Sequence, residues 1–144
     1  TYLAINKNKE PETQTIIKAS WACGRQVLIS KTDFQNRIMS HHTYEATDKI
    51  QVNNYGIPEP FYENFASIDD LQAILVPLLV VDKKGNRVGY GKGFYDRYLN
   101  KYLKQFKNIL TVGVAFSFQK HHKLPTNNLD FKLDYVLTEK GLIK

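Results

Sequence analysis

The chain has 144 residues, 42% hydrophobic and 12% aromatic, with a formal net charge of +6. That apolar content suffices for one core and falls short of two, so a single domain over residues 1–144 is expected. One cysteine, Cys23, excludes an internal disulfide, no Cys/His spacing points to zinc, and no apolar run reaches the ~18 residues of a membrane span, which makes a reducing, cytoplasmic setting the expectation.

Tyr2 to Ile5 read as a first strand and Asn6 to Pro11 as the loop at its end. Glu12 to Ala22 follow as a helix with Ile16, Ile17 and Ala19 to Trp21 on its apolar side and Gly24 as its stop, and Cys23 reads as a buried small hydrophobe. Val27 to Ile29 form a second strand. The three elements make a β-α-β unit whose ligand belongs beyond the carboxyl ends of the strands, where Glu10 and Lys31 fall. From residue 32 to 66 the pattern is irregular, with short strands near Met39, Tyr44, Ile50 and Val52, a turn at Asn53-Asn54-Tyr55-Gly56, and Pro58 and Pro60 against helix.

After a turn at Ser67 to Leu71, the run Ile74 to Val81 carries no charge and reads as one buried strand. Asp82 to Asn86 turn the chain, a glycine-rich loop follows, and Tyr95, Leu99, Tyr102, Leu103 and Phe106 recur at helical spacing, giving a helix over Phe94 to Phe106. Leu110 to Phe116 and Leu133 to Leu137 read as further buried strands. The whole is an α/β fold, a mostly parallel sheet with helices on both faces in a Rossmann-like three-layer arrangement. His41-His42 and His121-His122 are adjacent in sequence, so each pair points to opposite faces of a strand and cannot chelate one ion; both pairs read as surface.

Four of the eight glycines lie between residues 85 and 93. Glycine amides beside a helix start suit an anion, because unobstructed N–H groups and the positive end of the helix dipole both favour negative charge. The loop is neither Walker A, since Gly93 stands where Ser or Thr would reach magnesium, nor GxGxxG, since Phe94 replaces the third glycine. Residues 83–107 carry eight basic side chains (Lys83, Lys84, Arg87, Lys92, Arg97, Lys101, Lys104, Lys107) against Asp96 alone, a net +7 in a chain of +6. The basicity is local, and its partner is a polyanion. One reading is a nucleic-acid-binding module, with the basic window on phosphates and Tyr90, Phe94 and Tyr95 stacked on bases.

The stretch Gly85-Asn86-Arg87-Val88-Gly89-Tyr90-Gly91-Lys92-Gly93-Phe94-Tyr95-Asp96 resembles the signature G-N-R-L-G-x-G-x-G-Y-Y-D of the 5-formyltetrahydrofolate cyclo-ligases, with Val88 and Phe94 as the only departures. Glu10-Pro11-Glu12-Thr13, Gly56-Ile57-Pro58-Glu59-Pro60, Val112 to Phe116 with Gln119, and Leu124-Pro125 extend the resemblance over nearly the whole chain. It implies an enzyme, an ATP-dependent cyclo-ligase acting on small molecules, 5-formyltetrahydrofolate and ATP, as a monomer without nucleic acid or membrane.

The resemblance further implies Arg87 and Lys92 as catalytic phosphate clamps and residues 87–95 (Arg87, Val88, Gly89, Tyr90, Gly91, Lys92, Gly93, Phe94, Tyr95) as the ATP site. On the folate side it implies Ile5, Glu10, Tyr55, Tyr90, Gly91, Lys92, Gly93 and Phe94, the aromatic rings serving as flat walls. Asp96, joined by Asp130, would hold magnesium, an ion that takes one or two carboxylates beside phosphates and water; the alternative for Asp96 is a helix cap. The resemblance also implies a Lys- and Arg-rich helix ahead of the first strand, and this sequence begins after that position.

Overall fold

The computed structural model describes residues 1–102 and 109–143. The chain divides into two compact units, Thr1–Asp70 and Leu71–Lys144.

In the first unit Tyr2 to Ile5 join no sheet. Side chains take their backbone groups instead: Thr13 Oγ1 donates to Tyr2 O at 2.8 Å, and Ile5 N donates to Glu10 Oε2 at 2.7 Å. The expected strand over Tyr2 to Ile5 is therefore not formed as a regular strand; the chain meets the backbone of the expected second strand at Thr1, whose N donates to Leu28 O at 2.6 Å and whose O accepts from Ser30 N at 3.2 Å. A short 3-10 turn, Asn6–Asn8, precedes helix α1, Gln14–Ala22, whose leading amides Gln14 N and Thr15 N donate to the Glu12 carboxylate. The helix closes where Cys23 and Gly24 fold back onto the carbonyls of Ala19, Ser20 and Trp21. Cys23 is exposed there, a correction to its expected burial, because it lies past the last turn and off the buried stripe of Ile17.

Strands β1, Leu28–Asp33, and β2, Ile38–Thr43, form an antiparallel hairpin turned by Asp33, whose Oδ1 accepts from Gln35 N at 2.9 Å and Asn36 N at 3.0 Å. Strands β3, Ile50–Val52, and β4, Pro58–Pro60, make a second antiparallel pair, closed by Asn53 Oδ1 accepting from Tyr55 N and Ile57 N. Ile17, Val27, Ile29 and Tyr44, flanked by Leu3 and Trp21, are the core of this unit. His41 and His42 are buried, not on the surface as their sequence suggests. The segment after β4 runs alongside β2 and covers them: Thr43 N donates to Asn64 O, Ala66 N donates to His41 O, and the Phe65 ring lies 4.7 Å from His42.

The second unit contains β5 (Ala73–Pro77), β6 (Val80–Asp82), β7 (Arg87–Val88), helix α2 (Phe94–Tyr102), β8 (Leu110–Val114), β9 (Lys120–His121), β10 (Tyr135–Thr138) and β11 (Gly141–Ile143). One sheet has the order β11-β10-β8-β5, parallel from β5 to β10 with β11 antiparallel at its edge; the other has the order β7-β6-β9. Ile74, Val76, Leu78, Leu99, Val114, Leu133 and Val136 are buried in this unit. Helix α2 begins as expected at Phe94; Leu103, Lys104, Phe106 and Lys107, which the sequence places in or beside it, lie outside the described residues.

The apolar run Ile74 to Val81 is two strands in two sheets, a second correction. β5 ends at Pro77, and beyond it the carbonyls of Leu78 and Leu79 face the Gln119 side chain rather than a neighbouring strand. Among the described residues three strand pairings are parallel and four antiparallel, so the fold is mixed α/β and not a mostly parallel sheet. The hairpins account for the difference, since a tight turn can join only antiparallel neighbours. Among the described residues no helix is long and apolar enough to cross a membrane.

Candidate active site

The glycine loop leaves from the β6–β7 hairpin, and Asp82 fixes the hairpin turn. Its carboxylate accepts from Lys84 N at 2.8 Å, Asn86 N at 3.0 Å, Asn86 Nδ2 at 2.9 Å and, across from β9, Leu124 N at 3.1 Å. These four donors hold its pKa below the ordinary carboxylate value although burial pushes the other way. Asp82 was not singled out in the sequence, where it reads as a turn residue.

From β7 the chain runs through Gly89 to Gly93 into α2. Gly91 at φ +79° and Gly93 at φ +64° occupy the left-handed region, so the loop amides take directions that side-chain-bearing residues resist. Gly93 O accepts the first helical bond, from Arg97 N at 3.1 Å. Tyr90 and Lys92 are exposed at the loop, while Phe94 and Tyr95 are half-buried at the helix start. The Arg97 guanidinium carbon lies 5.1 Å from the Phe94 ring centre, within cation–π range.

Under the loop Arg87 meets Asp96. Arg87 Nη2 lies 2.9 Å from Asp96 Oδ1, with the guanidinium side chain 4% exposed and the carboxylate 27%. The same Oδ1 accepts from Phe131 N at 3.3 Å. Asp96 is thus bound to the hairpin and to the segment before β10, and among the described residues its carboxylate caps no amide of its own helix. Arg87 also lies 5.8 Å from the Tyr95 ring centre, and a Cβ at Gly89 would come within 2.8 Å of its Nη1, so glycine there leaves room for the guanidinium. Its Nε is buried without a hydrogen-bond partner. Burial pushes the guanidinium pKa down, and the Asp96 charge opposes that.

Asp130 immediately precedes Phe131, so both carboxylates expected at magnesium belong to segments that meet. Asp130 accepts from Asn127 N at 2.8 Å and Asn127 Nδ2 at 3.1 Å, and Asn100 Nδ2 on α2 donates to Leu129 O at 2.8 Å. Both of the Asp96 bonds fall on Oδ1, and Oδ2 makes no hydrogen bond among the described residues. Asp96 thus offers one hard oxygen to a cation such as magnesium, which usually takes one or two carboxylates and completes its shell with phosphate and water, while both oxygens of Asp130 are engaged by Asn127. Among the described residues no group of three or more His, Cys, Asp or Glu could hold a metal, so the protein alone supplies no cage.

The other candidates lie in the first unit. Ile5 and Glu10 are brought together by the 2.7 Å bond from Ile5 N to Glu10 Oε2, which orients the carboxylate. Tyr55, at the tip of the β3–β4 turn, is exposed and stacks on Phe34 with ring centres 3.8 Å apart. Lys31, placed by the sequence at a strand end, lies within β1 and pairs with Glu63 at 2.8 Å.

The family model for the 5-formyltetrahydrofolate cyclo-ligase family matches residues 1–139, across both units. A probable 5-formyltetrahydrofolate cyclo-ligase of Schizosaccharomyces pombe is 30% identical over 94% of this chain and 72% of its own length. The 5-formyltetrahydrofolate cyclo-ligases of Haemophilus influenzae and Mus musculus are each 32% identical, over 89% and 94% of this chain and 69% and 70% of theirs. The NMR structure of Aquifex aeolicus 5,10-methenyltetrahydrofolate synthetase superposes with a TM-score of 0.72 at 28% identity, over 94% of this chain and 66% of that one. A second solved structure, a 5,10-methenyltetrahydrofolate synthetase from Mycoplasma pneumoniae at 22% identity and a TM-score of 0.64, shares the fold. The chain belongs to the 5-formyltetrahydrofolate cyclo-ligase family, a family of ligases.

Proposed function

We propose that the chain catalyses the ATP- and magnesium-dependent cyclisation of 5-formyltetrahydrofolate to 5,10-methenyltetrahydrofolate, releasing ADP and phosphate. The observation that carries this reading is the Arg87–Asp96 ion pair at the root of a glycine loop, in a chain matched to the family over residues 1–139. The chemistry explains the residue types. A formamide oxygen is a poor leaving group, so it first attacks the γ-phosphorus of ATP; the new O–P bond forms as the bridge to the β-phosphate breaks and ADP departs. N10 then attacks the activated carbon, loses its proton, and expels the former formyl oxygen as phosphate.

Such phosphoryl transfer rests on positioning and charge neutralisation rather than on a protein nucleophile. In this reading the loop from Arg87 to Tyr95 seats ATP: the amides of Gly89, Gly91 and Gly93 face phosphate oxygens, and Lys92 supplies an exposed ammonium. Arg87 lends charge from beneath Gly89 and holds Asp96 in orientation. Asp96 and Asp130 are the residues that would hold magnesium, which when bound neutralises charge on the transferring phosphoryl group. Ile5, Glu10 and Tyr55, with Tyr90 and Phe94, are assigned to folate.

Small molecules are the partners in this proposal, and the enzyme works as a cytoplasmic monomer. Burial of Arg87 argues against its part in a nucleic-acid surface, where cations must reach backbone phosphates. The test mixes the protein with 5-formyltetrahydrofolate, ATP and magnesium and follows methenyltetrahydrofolate absorbance and ADP together. Product growth and ADP release that both require the folate support the reading; equal ATP hydrolysis with and without it sinks the ligase assignment.

A further inference from the structure

Two parallel connections in the second unit change sheets side by side. β5 leaves its pairing with β8 at Pro77 and continues as β6; β8 ends at Val114 and continues, through the 3-10 turn Ser117–Gln119, as β9, which pairs with β6 from Val81 and Lys120 onward. At this crossing the carbonyls of Leu78 and Leu79 and the amide of Phe116 lie between the two ladders. The Gln119 side chain meets three of them: Oε1 accepts from Phe116 N at 2.7 Å, and Nε2 donates to Leu79 O at 2.9 Å and Leu78 O at 3.2 Å. A primary amide is suited to this place, because it alone presents an acceptor and two donors on one planar group.

The other side of the crossing leads to the site. Leu79 N donates to Val88 O at 2.8 Å, and Val88 is the neighbour of Arg87 on β7. Gln119 therefore holds the strand that holds the hairpin that presents Arg87 to Asp96. We infer that Gln119 is a positioning residue for the proposed reaction: its amide sets the angle at which the β6–β7 hairpin and glycine loop leave the β5–β8 sheet. The inference rests on the cyclo-ligase reading for its kinetic consequence and on the geometry alone for its structural one.

Gln119→Glu and Gln119→Met separate the role from general stability. Glutamate keeps the acceptor toward Phe116 N, yet when ionised it turns an oxygen instead of a donor toward the two carbonyls; when protonated its hydroxyl can again donate. Gln119→Glu at pH 8 is expected to lose on the order of 10- to 100-fold in kcat, the scale of a reacting group misplaced by less than about 1 Å, with the KM for 5-formyltetrahydrofolate within about twofold of wild type. Its rate relative to wild type should recover as pH falls toward 5.5, while the corresponding ratio for Gln119→Met stays low and flat. A lowered melting temperature with wild-type kcat at 25 °C in both variants, or a Gln119→Glu ratio that does not change with pH, overturns the inference.

Should the wild-type chain form no methenyltetrahydrofolate, the ligase reading fails separately, and ligand-free amide exchange decides the clamp. Faster exchange at Leu79 N in Gln119→Met supports it; unchanged protection overturns it.

Discussion

Arg87 and Asp96 are unequal partners in one ion pair: Nη2 and Oδ1 are 2.9 Å apart, yet the guanidinium side chain is 4% exposed and the carboxylate 27%. The inequality predicts different costs for removing either end. Asp96→Asn leaves a buried guanidinium without its counter-charge, whereas Arg87→Met leaves a carboxylate that water can still reach.

Asp96→Asn should therefore cost about 1–3 kcal/mol, below the full figure for breaking a wholly buried pair because the site is partly solvated. Arg87→Met should cost less than Asp96→Asn. Urea midpoints of both variants decide it, and the reverse order would show that burial of Arg87 does not control the pair. Asp96→Asn also removes an anionic oxygen from the proposed magnesium site, so kcat should fall by ~100-fold or more, about 2.7 kcal/mol of lost transition-state stabilisation. Retention of most of the rate at limiting magnesium would remove Asp96 from the metal.

Lys92 offers the opposite combination. It is exposed on the loop, so Lys92→Ala should leave stability within ~0.5 kcal/mol of wild type. The rate should nevertheless drop by ~10- to 100-fold if the ammonium faces a phosphate, since a lost charge-assisted contact is worth about 1.5–3 kcal/mol. A variant with unchanged kcat and unchanged KM for ATP would make Lys92 an ordinary solvated charge.

What the sequence made legible is local. The turn at Asn53 to Gly56, the stop of α1 at Gly24 and the start of α2 at Phe94 all follow from residue types within a few positions of the feature, and all are present. The features it hid depend on distant partners. Nothing inside Ile74 to Val81 marks the change of sheet except Pro77, because the groups freed there are met by Gln119, 40 and 41 residues away. Tyr2 to Ile5 have strand composition, but Thr13 and Glu10 reach their backbone first. The burial of His41 and His42 depends in the same way on a segment over twenty residues downstream. For the site, the signature marked Arg87 and Asp96 individually; their pairing needed the hairpin and helix to be folded.

Glu10 provides a test on the first unit. Its Oε2 accepts from Ile5 N, and a glutamine oxygen can accept the same bond, so Glu10→Gln should fold normally. Loss of the charge should raise the KM for 5-formyltetrahydrofolate by ~10-fold, about 1.4 kcal/mol, with the KM for ATP within twofold. The opposite pattern would assign Glu10 to the nucleotide.

The last prediction concerns acid. Burial lowers the His41 pKa from 6.5 to about 3, so the folded chain keeps the imidazole neutral where the unfolded chain protonates it. Between those two values the unfolded state binds more protons, and stability must rise with pH. The stabilisation is complete above pH ~6.5 and is lost as pH falls toward ~3, at up to ~1.4 kcal/mol per pH unit from this residue alone. His42, whose pKa burial also lowers against the opposing charge of Glu63, adds to the same slope. Asp82 acts in the same direction, since its folded pKa is depressed and its contribution also disappears as pH falls. Wild-type slopes therefore mix several groups, and the difference between wild type and His41→Gln isolates one. Glutamine is polar and does not titrate, so urea midpoints measured from pH 7 to pH 4 should fall less steeply in His41→Gln, by about 1 kcal/mol per unit. Parallel lines for the two proteins would mean that His41 is protonated in the folded state as readily as in the unfolded one, and that strand β2 is open to water at that position.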